Sequence, residues 1–69
     1  MDICQRFGAK IRSLRVSQGL SQEALAEKAK LHRTYVGGIE RGERNISLVN
    51  IEKLAVAFNV TVESIMRGI

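Results

Sequence analysis

The stretch RTYVGGIERGERN, residues Arg33–Asn45, places Arg33, Thr34, Tyr35, Arg41, Arg44 and Asn45 within thirteen positions. All six carry hydrogen-bond donors, and the guanidinium groups are planar forks suited to bidentate contact with oxygen acceptors. This is recognition chemistry. No Ser/His/acid or Cys/His arrangement accompanies it, and the adjacent Gly37 and Gly38 are not a phosphate loop between strand and helix, so no enzyme is expected. With a single Cys4 and one distant His32 there is neither an internal disulfide nor a metal-ligand cluster, and no metal, cofactor or small-molecule ligand is implied.

The glycine pair raises a question of its own. Each glycine costs a helix interior about 1 kcal/mol relative to alanine, and the stretch otherwise reads as a helix. Something must offset the pair or use it.

The chain carries eleven Lys plus Arg against seven Asp plus Glu, a formal charge of +4 with a pI near 9.9, which favours a polyanionic partner. Three aromatics, Phe7, Tyr35 and Phe58, are too few for a platform that stacks single-stranded bases. The longest apolar run, Leu54 to Phe58, is far below the roughly 18 to 20 residues that cross a bilayer. The charged, periodic N-terminus does not read as a signal peptide. A reducing cytoplasm, with the nucleoid as the site of action, is the expected location, and no membrane partner is expected.

Apolar residues recur at helical spacing almost throughout, and no stretch alternates long enough to be a strand, so the expected class is all-α, a single domain over residues 1–69. Helix 1 is expected from about Asp2 to Gln18 with Ile3, Phe7, Ile11 and Leu14 inward, closed by Gly19. Ser21 caps a second helix ending near Lys30, with Ala24, Leu25 and Ala29 inward. A turn at Leu31 and His32 leads to a third, Arg33 to Arg41, closed by Gly42. Ser47 caps a fourth with Leu48, Ile51, Leu54, Ala55 and Phe58 inward, and Thr61 caps a short fifth, Val62 to about Met66.

Two short helices joined by a three or four residue turn describe a helix-turn-helix, whose second helix enters the major groove of DNA. At about 100° per residue, Arg33, Thr34, Gly37, Gly38 and Arg41 share one arc, while Tyr35, Val36, Ile39 and Glu40 lie opposite. One face packs and the other is left for a partner. Arg33 and Thr34 stand at the end that leads into the groove, where Arg can read guanine O6 and N7 and Thr can meet a thymine methyl. His32 is placed to cap or precede this helix.

The run GLSQEALAEKAKLHRTYVGGIERGERN, followed by SLVNIEKLAVAFNV, resembles the Cro and phage-repressor (XRE) class of helix-turn-helix regulators. The similarity spans Phe7 to Met66 and rests on Leu20, Ser21, Gln22, Leu25, Ala26, Tyr35, Ile39, Glu40, Arg41 and Gly42. Within that class, LHRTYVGGIERGERNIS looks most like the controller proteins of restriction-modification systems.

The resemblance implies a compact five-helix, lambda-repressor-like fold with the helix-turn-helix in helices 2 and 3. It implies base reading by Arg33 and Thr34, and a loop, Arg44 and Asn45, that meets the groove edge or backbone; Arg44 is assigned to bases and Asn45 to the backbone, the alternative for Arg44 being a solvated charge. Gln22 matches a phosphate-binding glutamine, and Arg41 joins it on the backbone. Tyr35 is open between a packed ring and a hydroxyl on a phosphate. Arg15 and Glu40 match a structural ion pair, in keeping with the need of a buried carboxylate for a partner. Lys30 replaces the usual turn glycine, and Ile46 stands where proline is common.

The expected function is a sequence-specific, double-stranded-DNA-binding transcription regulator, homodimeric on a partly palindromic operator. Val49, Val56 and Ile69 offer a dimer surface or are ordinary exposed apolar residues. The alternative is a protein-interaction module of the same fold, antitoxin-like or coactivator-like. On the DNA reading, Gly37 and Gly38 form a smooth patch on the groove-facing arc, with base reading concentrated in Arg33 and Thr34.

Overall fold

The computed structural model describes residues Met1–Ile69 and contains five helices and no strand: α1 (Ile3–Ser17), α2 (Gln22–Ala29), α3 (Arg33–Glu40), α4 (Leu48–Phe58) and α5 (Val62–Met66). Each begins at a side-chain cap. Asp2 and Gln5 form a reciprocal capping box on α1, and Ser21, Ser47 and Thr61 accept from the backbone N–H three residues on. His32 caps α3 with an imidazole: its Nδ1 accepts from the Thr34 N–H at 3.3 Å.

The core is one cluster to which every helix contributes. Phe7 and Ile11 come from α1, Leu25, Ala26 and Ala29 from α2, Val36 and Ile39 from α3, Ile51, Leu54, Ala55 and Phe58 from α4, and Ile65 from α5. Leu14 packs at its edge, and no buried side-chain nitrogen or oxygen lacks a partner.

Two expected core residues lie outside. Leu48 is 81% exposed and Ile3 is exposed as well. Both are the first residue of their helix, and a helical Cα–Cβ bond tilts toward the N-terminus, so these side chains overhang the end of the helix and miss the core beneath it. Ala24 is half-buried, and α3 stops one residue earlier than expected, with Arg41 as its C-cap.

The α2–α3 connection is Lys30, Leu31 and His32. Leu31 N–H donates to the Ala26 carbonyl at 2.9 Å and its side chain packs on the core. Lys30 sits at φ 58° and ψ 43°, the left-handed conformation that a glycine enters without penalty. The turn therefore adopts the conformation that favours glycine in spite of its residue, and Lys30 carries the strain.

Gly8, which drew no attention in the sequence, fixes how α1 crosses α3. A Cβ there would overlap the Ile39 carbonyl oxygen and come within 2.7 Å of the Glu40 carbonyl oxygen. Gly42, at φ 78°, also lies against α1, where a Cβ would be 2.8 Å from the Gln5 Cα. Bare backbone at these two points seats the C-terminal end of α3 on α1.

The ends of the chain are also joined through α1. Arg6 donates to the carbonyls of Ile69 and Met1, Lys10 to that of Arg67, and Gln18 to that of Phe58 at the end of α4.

Relieving the left-handed strain at Lys30 gives a direct test. Lys30→Gly is expected to stabilise the fold by about 0.5 to 1 kcal/mol, read as a higher urea midpoint with an unchanged m-value.

Candidate nucleic-acid interface

Helix α3 is held on its packed side by a single carboxylate. Arg15 of α1 donates to Glu40 through Nε at 2.7 Å and through its second terminal nitrogen at 3.1 Å, while Gln22 Nε2 of α2 donates to the same carboxylate at 3.1 Å. The Glu40 side chain is 4% exposed and that of Arg15 13%. The hydrogen bond to Glu40 is the main reason the Arg15 guanidinium is held above its ordinary range, burial opposing it, and Arg15 also donates to the Leu20 carbonyl at 2.8 Å. Gln22 is thus part of this network, at the first position of α2, where the helix's own N–H groups precede the hydrogen-bond ladder and suit an anion.

At the other end of α3, Arg33 and Thr34 are exposed. Arg33 comes within 3.6 Å of the Glu23 carboxylate, both well solvated, a contact too long and too wet to hold the side chain firmly.

The glycine pair is not a bare patch, which corrects the sequence expectation. Gly37 and Gly38 are both buried, and arginines cover them. An Arg41 terminal nitrogen lies 3.1 Å from where a Gly37 Cβ would be, with Gln22 Oε1 at 3.5 Å; Arg44 Nε and Cγ lie 3.0 and 3.2 Å from the corresponding point on Gly38. The glycines open two notches, and arginines from the end of the helix and the following loop lie in them. The arc of α3 that carries the glycines is therefore charged, from side chains that start outside it.

Each of these arginines has a second contact. Arg44 stacks over the Tyr35 ring, its guanidinium carbon 5.4 Å from the centroid, a cation–π distance. The Tyr35 hydroxyl accepts from Asn50 Nδ2 of α4 at 3.0 Å, so its own proton stays available to an outside acceptor. Arg41 donates to both oxygens of Glu43, at 3.0 and 3.2 Å. The Arg41 hydrogen bond, then its charge and that of Arg44, hold the Glu43 carboxyl below its usual range. That pair persists as pH falls until the lowered carboxyl takes its proton.

Asn45 is exposed on the same loop. Val49 and Val56, 64% and 73% exposed, stand on the outer face of α4 together with Leu48 at its start. Ile69 does not join them as a free surface, because it is half-buried, packs on the core and offers its carbonyl to Arg6.

Sequence reasoning missed Asn50 and Glu43. Asn50 is fifteen residues from Tyr35 and leaves no local sign, whereas Glu43 follows Arg41 across a glycine turn, a spacing that could have been noticed. Gly8 was legible by the same helix-propensity argument that singled out Gly37 and Gly38.

The helix-turn-helix family HTH_3 matches residues 11–65. The chain belongs to this family. As a member of HTH_3 it is a DNA-binding transcription regulator of the Cro/C1 type, in a family of regulators rather than enzymes. The HTH_3 chain is 54% identical over 55 residues to Control protein C.BamHI of Bacillus amyloliquefaciens, covering 78% of this chain and 68% of that one. It is 44% identical over 69 residues to Control protein C.MunI of a Mycoplasma species, covering 99% and 93%. The crystal structure of the restriction-modification controller protein C.AhdI from Aeromonas hydrophila superposes with a TM-score of 0.89 at 51% identity, over 91% of this chain and 96% of that one. No helix is long and apolar enough to cross a membrane.

The notches make a prediction. Gly38→Ala is expected to raise stability by about 0.5 to 1 kcal/mol through helix propensity, since the Cβ meets only the flexible Arg44 side chain, and to weaken or alter DNA binding by pushing Arg44 out of place. Denaturant melts and duplex titrations on one preparation read both effects; higher stability with unchanged affinity and preference would leave the glycines without a role in recognition.

Proposed function

We propose that this protein is a homodimeric controller of a restriction-modification system, acting in the cytoplasm at the nucleoid. It binds a partly palindromic operator whose half-sites lie about 34 Å apart or a multiple of it, and regulates its own promoter and that of a neighbouring nuclease. The observation that carries the reading is the division of α3, with Glu40 locked to α1 and α2 on one side and Arg33, Thr34, Arg41 and Arg44 presented on the other. The similarity to control proteins over most of the chain supports the controller role.

On this reading Arg33 and Thr34 meet base edges, Arg44 reaches a base from its notch, and Gln22, Tyr35, Arg41 and Asn45 hold phosphates. Tyr35 serves in both of the ways the sequence left open, its ring packed under Arg44 and its hydroxyl proton free for a phosphate. The dimer forms through the outer face of α4, Val49 and Val56, since one domain of this size touches too few base pairs for a specific site.

Arg33→Ala is expected to cost about 1 to 3 kcal/mol of operator binding and to relax preference at one base position, whereas Gln22→Ala weakens all duplexes alike. Titration of a selected duplex and a scrambled one separates these; equal losses on both for Arg33→Ala remove it from the base readers. An affinity that does not fall with salt would favour a protein-interaction module.

Val56→Glu places a charge in the α4 face and is expected to convert the dimer to a monomer in sedimentation velocity, at a cost of roughly tenfold or more in operator affinity. Unchanged sedimentation moves the interface elsewhere.

A further inference from the structure

Glu43 has no part in the reading above, yet it makes a two-point contact on the exposed face of the interface. Its carboxylate oxygens accept from Arg41 Nε and a terminal nitrogen at 3.0 and 3.2 Å, and both side chains are open to solvent. The remaining terminal nitrogen of Arg41 lies over Gly37 beside Gln22, so the guanidinium is already on the groove-facing arc. A carboxylate held by two parallel N–H donors presents the charge and spacing with which a guanidinium also takes a phosphate.

We propose that Glu43 is an internal stand-in for a DNA phosphate: it occupies the Arg41 fork in the free protein and is exchanged for a phosphate oxygen on docking. The proposal rests on the DNA-binding reading and assigns a residue that sets the strength of that binding. Three consequences follow from the chemistry. Arg41 is kept in its notch before DNA arrives, so its side chain has little freedom left to lose. Its charge is masked, so stray duplex gains less from it. When Arg41 moves to a phosphate, the freed carboxylate regains a cation as the DNA releases one, and the salt dependence is shallower by about one ion. An exposed pair suits this role, because solvent keeps it weak enough to yield to the denser charge of a duplex.

The test is a double-mutant cycle of Glu43→Gln and Arg41→Ala. Affinities of the four proteins are measured by fluorescence anisotropy between about 50 and 200 mM salt, on a mixed-sequence duplex and on a duplex the wild-type protein has enriched from a random pool. Glu43→Gln is expected to tighten binding to both duplexes by roughly 3- to 10-fold and to steepen the salt slope by about one. In the Arg41→Ala background the same change is expected to lose most of that gain and all of the added slope. An equal gain with and without Arg41 would reduce Glu43 to a general negative charge near DNA and overturn the exchange, as would no gain at all. Wild-type protein that binds neither duplex overturns the DNA-binding reading itself, an outcome distinct from tight, salt-dependent wild-type binding that Glu43→Gln leaves unchanged.

Discussion

The position of α3 depends on the Glu40 carboxylate. Arg15 reaches it from α1 with two nitrogens and Gln22 reaches it from α2 with a third, so three helices are referenced to one nearly buried charge. Removing one member of such a pair commonly costs about 3 to 5 kcal/mol, because the other is left buried and uncompensated, while an apolar replacement of the whole pair is often neutral. What the network supplies here is direction. A guanidinium fork on a carboxylate fixes both separation and angle, which close packing of Val36 and Ile39 against smooth apolar neighbours does less strictly.

The same constraint accounts for the other side of α3. An eight-residue helix clamped so close to α1 that Gly8 and Gly42 must be bare has little freedom to tilt toward a partner. Its outer face is built by addition instead: Gly37 and Gly38 leave room, and Arg41 and Arg44 fill it from the helix end and the loop. The helix propensity given up at the pair is offset by the anchoring of Val36 and Ile39 in the core. Side chains that arrive from a loop keep more freedom than those rooted in a helix, and their partners, the Tyr35 ring for Arg44 and the Glu43 carboxylate for Arg41, restore part of the order. Asn50 extends that order to α4, since it holds the hydroxyl of the ring on which Arg44 rests.

Local chemistry made most of the architecture legible in the chain. Ser21, Ser47 and Thr61 mark helix starts because a side-chain oxygen beside a free N–H needs no tertiary context, and Gly19 and Gly42 mark ends because they adopt positive φ without strain. Periodicity placed Phe7, Ile11, Leu25, Ile51, Leu54 and Phe58 inward for the same reason. It failed at Ile3 and Leu48, where the wheel assumes a neighbour that the first turn of a helix does not have. Lys30 shows a local preference overridden: the turn that joins α2 to α3 demands a left-handed residue, and the packing of Leu31 imposes it on a lysine.

Charge, caps, periodicity and the run from Gly19 to Asn45 were enough to assign an all-α helix-turn-helix with a basic exposed face on α3, because each is set by residues within a turn or two of one another. The contents of that face were not. Whether two adjacent glycines leave a gap or a socket depends on side chains that begin four and six residues away and fold back, and whether Tyr35 has a free proton depends on an asparagine from another helix. Such contacts are made across space by flexible side chains, and sequence spacing carries no record of where those chains come to rest.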